Sequence, residues 1–117
     1  MTPPREFIDY LQDIADTIEK VENFTKGINY EQFVADEKTI FAVVRAFEII
    51  GEATKNIPAA LKVDYPNVPW KEMAGFRDKL THEYFGVNLD VVWRTLQEDI
   101  PLLKPNILGV LAEAKKG

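Results

Sequence analysis

The sequence predicts an all-α fold, an antiparallel four- to five-helix bundle built as a single domain over residues 1–117. Three observations lead there. Apolar residues recur at steps of three and four, the repeat of one helix face. No useful length alternates with period two, so strands are not expected. Proline, glycine, asparagine and aspartate then cut the chain into helix-sized segments joined by short connectors.

The first helix carries Phe7, Leu11, Ile14, Ile18 and Val21 at steps of four, three, four and three. Thr2 is its expected cap, with Pro3 and Pro4 in the first turn, and Gly27 its stop. Asn29 can start a short helical turn in the connector NYEQFVAD. Asp36 caps a second long helix over about 37–56, with Ile40, Phe41, Val43, Val44, Phe47, Ile50 and Ala53 as its apolar positions and Pro58 as its stop. The connector PAALKVDYPNVP leaves room for one short helix. Pro69 suits the first position of a third helix, which carries Trp70, Met73, Ala74, Leu80 and Tyr84 in a broken stripe and stops at Gly86. Asn88 caps the last helix, from Leu89 to about Ala114. Its stripe is Val92, Trp93, Leu96, Ile100, Leu103, Ile107 and Leu111, and Pro101 and Pro105 should kink it. Gly51 and Gly75 fall inside helices, where glycine costs about 1 kcal/mol relative to alanine. A close helix crossing is the expected reason.

Composition narrows the function. With no cysteine, the chain has no disulfide, thiolate nucleophile or cysteine-based zinc site. With no serine, a Ser-His-Asp triad is impossible. No stretch reaches the ~18 apolar residues of a membrane span, and the N-terminus lacks a signal-peptide core, so the expected location is cytoplasmic. Net charge is −5, all of it in residues 1–58, which hold 6 Lys/Arg against 11 Asp/Glu; residues 59–117 hold 8 of each. General electrostatic binding to nucleic acid asks for a basic protein, so any RNA contact must be local and must come from the second half.

A bundle often houses a di-metal centre, which needs Glu-x-x-His pairs on facing helices. The one histidine, His82, has Lys79 three residues before it, so the pattern fails and no metal or other cofactor is expected. What remains is the stretch RDKLTHEYFG, with Arg77, His82 and Tyr84 close together. On a straight helix Arg77 and His82, five residues apart, point about 140° away from each other and lie roughly 7.5 Å apart along the axis. They can act together only if the helix end bends or a second chain supplies its own pair. In a two-fold dimer with these helices face to face, one imidazole accepts a proton, its mate donates one, and the guanidinium groups hold a phosphate.

Arg77-x4-His82-x-Tyr84, with Asp78 after the arginine, resembles the R-x4-H-x-Y motif of the HepT-like branch of the HEPN superfamily. The flanks RAFEIIGEATKNIP, YPNVPWKEMAGFRDKLTHEYFGVNLDVVW and DIPLLK carry the likeness further, from about Arg5 to Leu111. The resemblance implies a bundle that forms a homodimer with the motif at the dimer cleft. It implies a metal-independent endoribonuclease, the toxin of a toxin–antitoxin pair, acting on tRNA or mRNA. Arg77 and His82 are then the catalytic pair, Asp78 supports them, and Tyr84 is the site of AMP transfer by an MNT-type nucleotidyltransferase antitoxin. The competing reading is a non-catalytic helical partner or substrate-binding subunit of such a nucleotidyltransferase. Three acidic residues, Glu72, Asp78 and Glu83, offset Lys71, Arg77 and Lys79 around the motif, which favours a small structured RNA over indiscriminate binding.

Overall fold

Glu6 opens α1 (Phe7–Thr25): its backbone N–H donates to the Asp9 carboxylate at 3.1 Å, satisfying a donor that a bare helix end leaves free. A computed structural model of the chain describes residues 6–82 and 88–116, with the backbone alone over 77–82. The expected cap Thr2 and the prolines after it lie outside the described residues, and the observed cap is Glu6. Leu11, Ile14, Ile18 and Val21 are all buried, so the predicted stripe is the core face. The buried Thr25 hydroxyl donates to the Val21 carbonyl, and Gly27 leaves the helix at φ +78, a left-handed conformation that glycine adopts without a Cβ clash.

Asn29 begins α2 (Tyr30–Ala35) with a reciprocal cap: its side chain accepts from Gln32 N at 2.8 Å, while Gln32 Oε1 accepts from Asn29 N at 2.9 Å. Asp36 caps α3 (Glu37–Lys55), accepting from the Thr39 N–H and hydroxyl. Those bonds, led by the hydroxyl, hold its carboxyl pKa below the ordinary 3.8. Val43, Val44, Phe47, Ile50 and Ala53 are buried as expected, but Phe41 is 59% exposed. The stripe thus overreaches at its N-terminal end, where no described part of the chain covers that ring.

The proline-rich connector holds one short helix, α4 (Ala59–Asp64). The third long helix, α5 (Trp70–His82), starts one residue later than the proline rule suggests. Pro69 precedes it and its carbonyl accepts from Met73 N at 3.0 Å. Trp70 is buried with its indole N–H donating to the Tyr65 carbonyl at 3.0 Å. Met73 and Phe76 are buried too, and Phe76 packs on Phe47 of α3 with ring centroids 5.4 Å apart. A Cβ added at Gly75 would meet no described atom within 4 Å, so the close crossing expected there is not the reason for that glycine.

Asn88 caps α6 (Leu89–Arg94), accepting from Asp90 N and Val91 N. A π turn over Thr95–Asp99 follows, in which the Ile100 N–H reaches back five residues to the Thr95 carbonyl, and α7 (Ile100–Lys116) continues from it. In a regular α-helix the Pro101 ring would press on the carbonyl four residues earlier and leave it without a donor. The wider turn immediately before Pro101 relieves that conflict. α7 runs on through Pro105. At about 1.5 Å per residue, the 28 residues from Leu89 to Lys116 account for most of the molecule's 45 Å long axis.

α3 packs against both α1 and α5, and α1 also packs against α7. Directions follow from specific contacts. Lys104 Nζ bonds Glu22 at 2.7 Å while Lys115 Nζ bonds Gln12 at 3.0 Å, so α1 and α7 are antiparallel. The start of α1 (Tyr10, Asp13) shares a crevice with the end of α3 (Glu52, Asn56). Asp64–Val68 stand beside Pro105–Glu113, whereas Glu72–Phe76 stand beside Asp99–Asn106. Neighbouring helices therefore alternate in direction, as expected for an antiparallel bundle, and the core side chains meet along its axis.

Candidate active site

Helix α5 divides the labour by sequence. Its first half supplies Trp70, Met73 and Phe76 to the core, and each such burial contributes about 1.5–3 kcal/mol. Its last six residues, RDKLTH, carry Arg77, Asp78 and His82. The backbone stays helical through His82, without a break between the arginine and the histidine.

That continuity fixes the register. Arg77 stands one turn past buried Met73, about 40° round the axis, and His82 stands about 180° from Met73. The two are thus about 140° apart and roughly 7.5 Å apart along the helix, as the sequence predicted. One chain does not bring Arg77 and His82 onto a common helix face. Asp78 and His82, four residues apart, do share a face, the spacing at which a carboxylate can reach an imidazole. Tyr84, and with it the proposed AMP site, lies outside the described residues.

The neighbourhood of this helix end can still be placed. Phe76 meets Phe47, and α3 and α5 run in opposite directions, so six residues further along brings the backbone of His82 to the level of Phe41. There α3 and α6 enclose an open groove of about 600 Å³, lined by Ile40, Phe41, Val44 and Leu89 with Glu37, Arg45 and Glu48 at its edges. Arg45 and Glu48 form a 3.3 Å ion pair on that rim. A second groove of about 410 Å³ lies between α5 and α7, over Met73, Phe76 and Leu103, with Glu72 and Asp99 beside it. Among the described residues no three histidine, aspartate or glutamate side chains converge as a metal site requires. None of the described helices is long and apolar enough to cross a membrane.

Reading along the sequence missed a polar contact on the far side of the motif. The Tyr30 hydroxyl donates a hydrogen bond to Asp90, and Tyr30 stacks on Trp93 at 6.0 Å. The bond to the Asp90 carboxylate, then slight desolvation and the carboxylate's charge, raise the Tyr30 pKa above its ordinary 10.0. Only a capping asparagine and an aromatic in each segment hinted at it.

Comparison with known proteins agrees with the motif. A family model described as ribonuclease HepT-like matches residues 14–108, most of the chain. The chain belongs to the ribonuclease HepT-like family. It is 58% identical to a Thermococcus cleftensis protein named "Probable ribonuclease HepT", over 86% of this chain and 91% of that one. It is 45% identical to a protein of Caldanaerobacter subterraneus subsp. tengcongensis named as an RNase, over 98% of this chain and 100% of the other. An RNase-named protein of Methanocaldococcus jannaschii is likewise 45% identical, over 95% of this chain and 92% of its own length. No solved structure matches the chain significantly. The HepT-like match covers α3, α5 and α6 together, and so includes the whole Arg77–Tyr84 segment.

Proposed function

We propose that this HepT-like chain is a metal-independent endoribonuclease that works as a homodimer, with Arg77 and His82 as its catalytic groups. The observation that supports this reading is the unbroken helix from Phe76 to His82, whose register sets the two positions about 140° apart round the axis and so favours a site pooled between two chains. Two chains related by a two-fold axis can pool them. The exposed Phe41 and the apolar groove beside it supply a face for that contact at the same end of the bundle, and its edge carries both signs of charge, Arg45 with Glu37 and Glu48, for a two-fold mate to match.

RNA carries its own nucleophile. A neutral His82 takes the proton of a 2′-hydroxyl, and the oxygen attacks the adjacent phosphorus. The bond from phosphorus to the 5′-oxygen breaks, and the protonated His82 of the second chain gives that oxygen its proton. Arg77 steadies the extra negative charge of the pentacoordinate phosphorus with its guanidinium fork. Asp78, on the same helix face as His82, supports the imidazole. The products carry a 2′,3′-cyclic phosphate and a 5′-hydroxyl.

The same reading makes the chain the toxin of a toxin–antitoxin pair in the cytoplasm, acting on tRNA or mRNA. Its partner is an MNT-type nucleotidyltransferase that silences it. The Tyr84 hydroxyl attacks the α-phosphate of ATP, pyrophosphate leaves, and the added AMP puts bulk and negative charge two residues from His82. The net charge of −5 fits a small folded RNA target better than long single strands. That charge is also what favours the second reading, a non-catalytic partner of the nucleotidyltransferase.

Purified chain incubated with tRNA in EDTA separates the two. Cleavage is expected, lowered by about 10²–10⁴ in His82→Ala and in Arg77→Ala with the fold retained. Wild type that leaves RNA intact while binding the nucleotidyltransferase tightly would establish the second reading.

A further inference from the structure

Helix α2 gives the core one buried residue, Phe33. Its other aromatic, Tyr30, reaches a partner 60 positions away in sequence, donating its hydroxyl to the Asp90 carboxylate. Trp93, one turn further along α6, stacks on Tyr30 at 6.0 Å and 22°, and packs tilted against Phe33 at 5.2 Å. The Asn88 side chain accepts from the N–H of Asp90 at 3.0 Å, so the cap of α6 and the Tyr30 bond meet at one residue. α2 thereby clasps the first turn of α6.

The clasp has a place in the reaction because of where α6 begins. The motif helix is held on one side by Phe76 against Phe47. On the other side of the motif the chain is held at Asn88 and Asp90, six and eight residues after His82. A catalytic group on a chain held at both flanks is displaced when either flank shifts, and a displacement of about 1 Å can cost ~10²-fold in rate. Asp90 is exposed and Tyr30 only half-buried, so their bond adds little to global stability. Its loss should register in the reaction rather than in the melt.

We propose that Tyr30 and Asp90 are a positioning pair for RNA cleavage: their hydrogen bond, with the stack on Trp93, fixes the flank from which the motif is held on its C-terminal side. The proposal rests on the assignment of the reaction to Arg77 and His82.

Tyr30→Phe keeps the ring on Trp93 and removes the hydroxyl. The expected result is a kcat for RNA cleavage lowered about tenfold or more, with KM within about twofold and Tm within a few degrees of wild type. Asp90→Asn should behave alike, and the double variant should be no worse than either alone, because both break one bond. Lys104→Met breaks the Lys104–Glu22 bond between α1 and α7, away from the motif, and should leave kcat unchanged. Wild-type kcat in Tyr30→Phe, a rise in KM at constant kcat, or a double variant slowed by the product of the single effects would each overturn the pairing. Hydrogen exchange over Leu89–Trp93 tests the clasp without cleavage. Exchange there should quicken about tenfold in Tyr30→Phe, and unchanged exchange refutes the clasp even if wild type cuts no RNA.

Discussion

Helices α1 and α5 both lie against α3, yet they use their lengths differently. α1 keeps one buried stripe from Leu11 to Val21, nearly end to end, with its acidic residues off that stripe. α5 buries Trp70, Met73 and Phe76, and its sequence then turns to RDKLTH. The first is a helix whose sequence is explained by packing. The second is explained by packing over its first two turns, and the proposed chemistry falls on the residues after them. Beyond Phe76 the backbone stays helical through His82, and the function proposed above assigns Arg77 and His82 to a phosphate shared with a second chain.

That contrast makes predictions of decreasing size. Phe76→Ala removes the last packed residue before the motif and should cost about 3–5 kcal/mol in urea unfolding. It should also reduce cleavage by the molecules that remain folded, measured well below the new midpoint, because the turn carrying Arg77 loses its seat. Leu11→Ala in α1 should cost about 2–5 kcal/mol and leave cleavage per folded molecule unchanged. Equal losses of activity in the two variants would erase the distinction between the helices.

The smallest effect concerns the cap of α3. Asp36→Ala should lower Tm by a few degrees at neutral pH without touching cleavage. The folded pKa of Asp36 lies below its ordinary 3.8, so its contribution is complete above that value and fades as pH falls through the lower folded one. Melts of wild type and variant should therefore converge in acid. A gap that persists there would mean that Asp36 acts through something other than its charge.

Much of this was legible in the sequence because helices announce their ends locally. Asn29, Asp36 and Asn88 were expected caps, and each accepts backbone N–H bonds in the fold. The stripes of α1 and α7 could be read because a core face repeats with the helix itself. The misreadings have a common origin in contacts that local pattern cannot see. Phe41 has the spacing of a core residue, but nothing described in its own chain covers it. Pro101 was expected to disturb the last helix, and the form that disturbance takes, a π turn directly before it, was not foreseen. At Gly75 no described atom stands where a crossing was expected. Tyr30 and Asp90 meet across 60 residues of sequence, with no motif to join them. The register of Arg77 and His82 was legible in full, because it needs only that the helix be continuous.

That register supports a direct test of shared chemistry between two chains. Wild type is co-refolded with an equal amount of His82→Ala and assayed on tRNA in EDTA. If the cleft needs one imidazole from each chain, half the dimers are mixed and inactive, so cleavage falls to about half of that given by the same wild-type chains alone. Placing Phe41→Glu in wild type should abolish cleavage and leave monomers in sedimentation. Undiminished cleavage, from demonstrably mixed dimers, would contradict the account.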